Sequence, residues 1–172
     1  MKIFNYFEIP NWQEYRELLL HFYYHNHDYD ANSVADDRDN NFLKILRREK
    51  IKNLLPGLVE HFDSIGHHIV FLETIGMPPT DNPHSEIHKD SSPLFDDYFM
   101  ANYAINFSLE NTENSKIVFF DEDQKEITRL NYDHCPLLFR TNVWHSVVNY
   151  SDKLRITASI RFEENVSMEK YL

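Results

Sequence analysis

Apolar residues in the first third of the chain recur at the spacing of an α-helix. In a first stripe the apolar positions lie three or four residues apart, at Trp12, Tyr15, Leu19 and Phe22. A second stripe of the same period extends over residues 51–65. Pro56 lies inside it and is expected to kink the helix, because its ring clashes with the preceding turn. The pattern therefore predicts helices within residues 1–66.

After residue 67 the pattern changes to the two-residue period of β-strands. Short segments predicted as strands lie at 69–72, 101–109, 117–120, 126–132, 136–140, 143–148 and 155–162. No helical pattern separates them, and such closely spaced strands are typical of an antiparallel sandwich or barrel. We expect a mainly β fold with N-terminal α-helices packed outside one sheet.

The length of 172 residues suits a single domain, because chains divide into several domains only well beyond this size. No segment has the composition of an interdomain linker. We therefore expect one domain over residues 1–172. It would consist of a helical part at 1–66 and a β core at 67–163.

Charge and hydropathy narrow the classes of function. Seventeen Lys and Arg residues against 28 Asp and Glu residues give a net charge of −11. This balance disfavours nucleic acid and anionic membrane surfaces as partners. The sequence shows neither a signal-peptide pattern nor an apolar run long enough to span a membrane. We expect a soluble, cytoplasmic protein that binds neither nucleic acid nor membrane.

Cysteine and histidine usage restricts any metal site to nitrogen and oxygen ligands. Cys135 is the only cysteine, so the chain has no internal disulfide and no cysteine-based zinc or iron–sulfur centre. The sequence contains 10 histidines. A bound metal would therefore be held by imidazoles and carboxylates.

Histidine–x–carboxylate pairs can bind a metal from a single strand. The sequence contains three of them, His61/Asp63, His84/Glu86 and His88/Asp90. Chance produces such pairs in a chain of this composition, so their context must decide. The first pair lies in a predicted helix, where residues two apart do not share a face. The second is interpreted as part of a solvated loop, and the third lies nearer the strand at 101–109.

A second candidate feature lies downstream, where Arg155 follows His145 by ten positions. The predicted strand at 155–162 alternates strictly, and its polar face carries Arg155, Thr157, Ser159 and Arg161. This face either meets water, as in a half-exposed strand, or lines a barrel interior and binds an anion. An arginine with a hydroxyl two residues on would hold a carboxylate by charge-assisted contacts. Periodicity alone leaves both interpretations open.

These residues resemble the motif of the 2-oxoglutarate- and Fe(II)-dependent oxygenases. That motif is His-x-Asp, then a distal His, then a basic residue that is often followed two positions later by Ser or Thr. The chain fills it in order with His88-Lys89-Asp90, His145, Arg155 and Thr157. The segments 102–109, 116–121 and 136–149 also resemble the strands and turns around the family's ligands. The resemblance covers about residues 67–163.

The resemblance implies a double-stranded β-helix, the cupin-like jelly roll. It implies Fe(II) held by His88, Asp90 and His145, with 2-oxoglutarate as cosubstrate and O2 as oxidant. The far carboxylate of 2-oxoglutarate would meet Arg155 and Thr157. No catalytic side chain beyond the metal ligands is then required. Asn106, on the polar face of its strand, either contacts the cosubstrate or substrate or is a core amide bonded to backbone.

The expected activity is that of a dioxygenase, acting as a hydroxylase on a small molecule or a protein side chain. One alternative is a metal-binding, cupin-like isomerase or lyase that uses the same ligands without a keto acid. Another is a non-catalytic jelly-roll binding protein. The family's substrates are selected by variable loops, which would correspond here to Asp28–Asn41 and Ser91–Tyr98.

Overall fold

The computed structural model describes residues 2–25, 42–79, 85–90, 100–132, 135–163 and 168–172. Within these ranges it describes the backbone, but not the side chains, of residues 42, 100 and 101. Both predicted substrate loops, Asp28–Asn41 and Ser91–Tyr98, lie outside the described residues, and so does His84.

The two apolar stripes near the N-terminus form helices, as predicted. The first is α1 (Trp12–His25), and the second is divided into α2 (Arg48–Leu54) and α3 (Pro56–Ser64). The division falls at Pro56 because proline lacks the N–H that a continuous helix would need, and it is tolerated as the first residue of α3. Among the described residues, no helix has the length and apolar character that crossing a membrane requires.

Within the described residues, nine strands form two antiparallel sheets. They are β1 (Phe4–Tyr6), β2 (Phe42–Arg47), β3 (Ile69–Met77), β4 (Met100–Glu110), β5 (Ser115–Phe120), β6 (Glu126–Asn131), β7 (Leu137–Arg140), β8 (His145–Asn149) and β9 (Arg155–Glu163). One sheet has six strands in the order β1-β7-β4-β9-β3-β2, and the other has three in the order β6-β5-β8. The strands predicted after residue 67 correspond to β3–β9.

The part at 1–66 is not purely helical, which corrects the prediction for that range. Residues 4–6 pair with β7 and residues 42–47 pair with β3, so this part supplies both edges of the six-stranded sheet. The pattern missed them because β1 has only three residues, and because β2 places two apolar pairs, not alternating residues, along its length. The assignment of residues 1–172 to a single domain stays a prediction.

A short extended segment widens the smaller sheet. This segment, residues 85–90, is called the His88 segment here. The Ser85 N–H donates to the Val147 carbonyl at 2.8 Å. His88 and His145 exchange both of their backbone hydrogen bonds at 2.9 Å. The segment therefore runs antiparallel beside β8, and the two facing sheets form the predicted jelly roll.

The helices cover the outer face of the six-stranded sheet. The apolar side chains of β9, such as Ile160 and Phe162, pack in one fully buried cluster with Leu19 of α1 and Phe62 of α3. A smaller cluster that includes Ile117, Phe119 and Phe139 fills one region between the sheets. The alternation of β9 therefore turns its polar residues toward the barrel interior.

Gly76 of β3 lies directly against the Tyr23 hydroxyl of α1. A Cβ at position 76 would stand 2.3 Å from Tyr23 Oη and 3.3 Å from Tyr23 Cζ. We expect Gly76→Ala to lower the free energy of unfolding by about 1–3 kcal/mol, the usual cost of overpacking. Urea denaturation measures the change.

The matched variant for this prediction removes the clashing atom. In a Tyr23→Phe background, Gly76→Ala meets no hydroxyl, so the second substitution should cost less there than in the wild-type chain. A double-mutant cycle gives the coupling energy between the two positions. A coupling energy near zero would show that this contact does not limit the approach of α1 to the sheet.

Candidate metal centre and anion pocket

Three of the sequence-predicted residues converge beside the first residue of β8. His88, Asp90 and His145 each offer a ligand atom, and these atoms lie within 4.8 Å of one another. Asp90 Oδ1 is 3.3 Å from His88 Nε2, and Asp90 Oδ2 is 3.7 Å from His145 Nε2. The antiparallel pairing of the His88 segment with β8 brings the two imidazoles together, with ring centroids 4.6 Å apart.

Both imidazoles are oriented by backbone carbonyls. His88 Nδ1 lies 2.8 Å from the Glu86 carbonyl oxygen, and His145 Nδ1 lies 2.8 Å from that of Val143. A carbonyl only accepts hydrogen bonds, so each Nδ1 carries a proton and a neutral ring keeps its lone pair on Nε2. Metal-bound histidines are commonly held in this way. Two nitrogen lone pairs and a carboxylate then converge on one point, an arrangement that a cation stabilises.

The protonation states at this point favour a divalent cation. Burial lowers the pKa of His145, although the Asp90 carboxylate opposes the shift, so the neutral ring is favoured. Burial acts to raise the pKa of Asp90, but the neighbouring positive charge, above all the Arg161 guanidinium, outweighs it. The Asp90 pKa is therefore held well below its ordinary value. A neutral imidazole and an ionised carboxylate are the forms that metals bind.

The donor set fits iron of the non-haem type. Two imidazole nitrogens and one carboxylate oxygen form the facial triad that is typical of Fe(II) in oxygenases and leaves coordination positions open. In the described part of the chain, no other group of three His, Cys, Asp or Glu side chains could hold a metal ion.

A cavity of about 160 Å³ extends from the three residues into the barrel. This volume is far above the roughly 10–15 Å³ that one water molecule needs, so the cavity accommodates a small organic molecule. The polar face of β9 lines it, with Arg155 2% exposed and Thr157 and Ser159 1% exposed. Of the two interpretations left open by the sequence, the structure supports a polar interior and not a face in water.

Several polar atoms in this cavity have no hydrogen-bond partner among the described residues. They are Arg155 Nε, Asn106 Oδ1, Tyr132 Oη and Ser159 Oγ, all of them buried. Buried polar groups are almost always paired in native proteins, since leaving one unpaired costs about 1–3 kcal/mol. Their concentration in one cavity indicates a polar ligand that pairs with them.

Arg155 supplies a buried positive charge to this cavity. Its guanidinium carbon stands 4.6 Å from the centroid of the Tyr132 ring. Burial lowers the pKa of Arg155, while Tyr132 opposes that shift, and an arginine remains cationic at neutral pH. A buried cation is expensive unless an anion accompanies it. The cavity therefore places a three-residue cluster that could hold a cation near a buried cationic side chain.

Two charged residues of the site were not assigned a role from the sequence. Arg161 Nη2 donates to Asp90 Oδ2 at 2.8 Å, and Arg161 Nε donates to Glu73 Oε2 at 3.4 Å. Burial raises the pKa of Glu73, and Arg161 opposes that shift. Arg161 shares the polar face of β9 with Arg155 and was identifiable from that alternation. The signal for Glu73 was an acid inside the apolar run of β3.

The other histidine–x–carboxylate pairs do not form comparable sites in the described residues. Asp63 accepts hydrogen bonds from Arg48 at 2.6 Å and pairs with His68 Nδ1 at 2.8 Å, so this surface cluster does not involve His61. Glu86 is exposed, in keeping with a solvated loop.

Tyr132 also lines the cavity. Its place in the sequence gave no indication of this role beyond its position at the end of a predicted strand.

Known structures with the same architecture include oxygenases. A prolyl-4-hydroxylase from Pseudomonas putida superposes with a TM-score of 0.57 at 13% identity, covering 95% of this chain and 92% of the other. The non-haem α-ketoglutarate-dependent carbocyclase SnoK from nogalamycin biosynthesis gives 0.59 at 10% identity, covering 92% and 76%.

A third structure is a prolyl hydroxylase from Trichoplax adhaerens in complex with a hypoxia-inducible-factor peptide fragment. It superposes with a TM-score of 0.57 at 13% identity, covering 94% of this chain and 83% of the other. No protein-family model matches the sequence, and no curated protein does. At such identities the likeness shows the fold alone. It confirms, at the level of the fold, the resemblance to 2-oxoglutarate- and Fe(II)-dependent oxygenases.

Proposed function

We propose that this chain, which has the fold of 2-oxoglutarate- and Fe(II)-dependent oxygenases, is an enzyme of that class. We further propose that it hydroxylates a small molecule or a protein side chain. The observation that carries the proposal is one cavity that combines a two-histidine, one-carboxylate cluster with the buried cation of Arg155. Neither feature alone would select this activity.

The metal would be held by His88, Asp90 and His145. When bound, Fe(II) supplies the activation of O2 coupled to oxidative decarboxylation of the keto acid. The carbonyls of Glu86 and Val143 keep both Nε2 atoms directed at the metal position. The protein then needs no side-chain nucleophile or general base.

The cosubstrate would be held by the polar side of the cavity. Arg155 and Thr157 are placed to take the far carboxylate of 2-oxoglutarate through charge-assisted hydrogen bonds. The buried hydroxyl of Tyr132 and the buried Asn106 amide oxygen add further polar partners. Apolar residues such as Ile117 and Phe139 line the rest of the cavity and keep water away from the reacting groups.

The buried Arg155 favours this proposal over a metal-dependent isomerase or lyase that uses no keto acid. A site of that kind needs the three ligands but has no use for a buried cation beside them, which is costly without an anion. The convergence of the His88, Asp90 and His145 ligand atoms within 4.8 Å weighs against a non-catalytic binding module, which has no need of an assembled metal site. If 2-oxoglutarate left the melting temperature of the metal-loaded protein unchanged, the isomerase or lyase alternative would be preferred.

A peptide or small-molecule substrate is part of the proposal. The Trichoplax adhaerens structure contains a peptide fragment, and the net charge of −11 suits a basic peptide segment better than an acidic one. Apolar residues such as Leu43 and Met77 also line the cavity.

Uncoupled turnover tests the proposed activity without knowledge of the substrate. Purified protein with Fe(II) and O2 is expected to convert 2-oxoglutarate slowly to succinate and CO2, and Asp90→Ala is expected to reduce that rate to background. Succinate formation is measured by chromatography. Exposed His21 provides a matched control, and His21→Ala should retain the wild-type rate. A wild-type protein that bound neither Fe(II) nor 2-oxoglutarate would refute the proposal.

A further inference from the structure

We infer that Arg161, braced by Glu73, positions the Asp90 carboxylate so that one oxygen faces the metal. This inference rests on the proposed function, because it assigns a role to residues around the same metal centre. Arg161 is described as a positioning residue, since it acts through Asp90.

The contacts divide the two oxygens of Asp90 between different partners. Oδ2 accepts a hydrogen bond from Arg161 Nη2 at 2.8 Å and lies 3.7 Å from His145 Nε2, whereas Oδ1 is the oxygen nearer His88 Nε2, at 3.3 Å. An oxygen already engaged by a guanidinium is a poor second ligand. The carboxylate is therefore disposed to bind through one oxygen, which leaves more coordination positions open for a chelating keto acid.

Arg161 itself is held from the other side. Its Nε donates to Glu73 Oε2 at 3.4 Å, and the three side chains are only 11%, 6% and 18% exposed for Arg161, Glu73 and Asp90. Arg161 lies on β9 and Asp90 on the His88 segment, so this ion pair joins the two sheets at the metal centre. Because burial limits solvent screening, such a pair has a defined geometry.

Glu73 provides Arg161 with a second hydrogen-bond acceptor besides Asp90. Its Oε2 accepts from Arg161 Nε, while Asp90 Oδ2 accepts from Arg161 Nη2. Because the guanidinium is planar, two acceptors fix its orientation, and with it the position of the Asp90 oxygen that it contacts.

Arg155 and Arg161, the two arginines on the polar face of β9, therefore have different roles. Arg161 makes hydrogen bonds to two carboxylates, whereas Arg155 Nε has no partner within the described residues. Six positions separate them, which is roughly 20 Å along an extended strand. Arg155 Nε is thus available to an anionic ligand, whereas Arg161 is committed to the metal ligand.

Cobalt(II) titration tests the inference with a readout that does not depend on turnover. Co(II) substitutes for Fe(II), and its visible absorption reports both affinity and coordination geometry. We expect Arg161→Lys and Glu73→Gln each to weaken Co(II) binding about 10–100-fold, the usual effect of losing an outer partner of a metal ligand. Lysine keeps the charge but cannot bond two carboxylates from one planar group. We also expect the absorption bands to shift.

The chain offers a matched control pair on its surface. Arg129 and Glu126 form an exposed ion pair on β6, so Arg129→Lys and Glu126→Gln should leave Co(II) affinity and spectrum unchanged. Melting temperatures in the presence of a chelator check folding of every variant. Glu73→Gln preserves the shape of the side chain, so it keeps the test decisive if Arg161→Lys fails to fold.

The outcomes separate this inference from the proposed function. If the wild-type protein binds Co(II) and the folded Glu73→Gln variant matches it in affinity and spectrum, the positioning role is wrong while the metal centre stands. If the wild-type protein binds no Co(II), the metal centre and the positioning role are both wrong. Weakened binding with a shifted spectrum in the variants, and neither change in the surface controls, supports the inference.

Discussion

Replacement of His145 by alanine is expected to abolish metal-dependent stabilisation and to reduce 2-oxoglutarate turnover to background. The triad loses the imidazole that its buried position keeps neutral and that the Val143 carbonyl orients. The two remaining donors are too few to hold Fe(II) against solvent. A metal at 100 times its dissociation constant stabilises the folded wild-type protein by about 2.7 kcal/mol. The variant should show no metal-dependent stabilisation.

The comparison must separate metal binding from packing. His145 also contacts the ring of Phe139, with centroids 5.5 Å apart, so the variant is expected to be less stable even without metal. The relevant quantity is therefore the difference in melting temperature between metal and chelator within each protein. His21→Ala, an exposed substitution on α1, should retain the full difference. A persistent metal-dependent shift in His145→Ala would contradict the assignment of this ligand.

Replacement of Arg155 by methionine is expected to have two effects of opposite sign. Without 2-oxoglutarate the variant should be as stable as the wild-type protein or more so, because the substitution removes a costly buried charge. With 2-oxoglutarate it should lose the stabilisation that the wild-type protein shows. Breaking a buried charge pair costs about 3–5 kcal/mol, so we expect KM for 2-oxoglutarate to rise about 100-fold or more.

Thermal melting with and without 2-oxoglutarate, combined with steady-state kinetics, measures both effects. Arg155→Lys is the informative second variant, since it keeps the charge and should retain part of the affinity. Arg129→Met, a substitution of an exposed arginine on β6, controls for loss of charge elsewhere. An unchanged KM in Arg155→Met would mean that the anion lies at another residue.

Much of the fold could be predicted because the strands from β3 onward carry a clear two-residue period or a compact apolar run. β9 shows this best, since its apolar side packs on the helices while its polar side lines the cavity. The edge strands β1 and β2 were missed because their place is decided by pairing with β7 and β3. Short edge strands that are paired in this way need not alternate between apolar and polar residues, so the sequence does not reveal them.

The candidate ligands could be proposed because their order along the chain matches a family motif. The convergence of His88, Asp90 and His145 follows from the pairing of the His88 segment with β8. The role of Glu73 could not be predicted from the sequence motif. It depends on the register of β3 against β9, which places Glu73 opposite Ser159 and Phe71 opposite Arg161. A sequence pattern does not encode that register.

The most direct measurement is a crystal structure of the protein with Fe(II) and 2-oxoglutarate, prepared without oxygen. The account predicts one iron ion about 2 Å from His88 Nε2, His145 Nε2 and one oxygen of Asp90. It also predicts the far carboxylate of 2-oxoglutarate on the Arg155 guanidinium. An iron ion bound elsewhere, or a cavity in which 2-oxoglutarate does not reach Arg155, would contradict it.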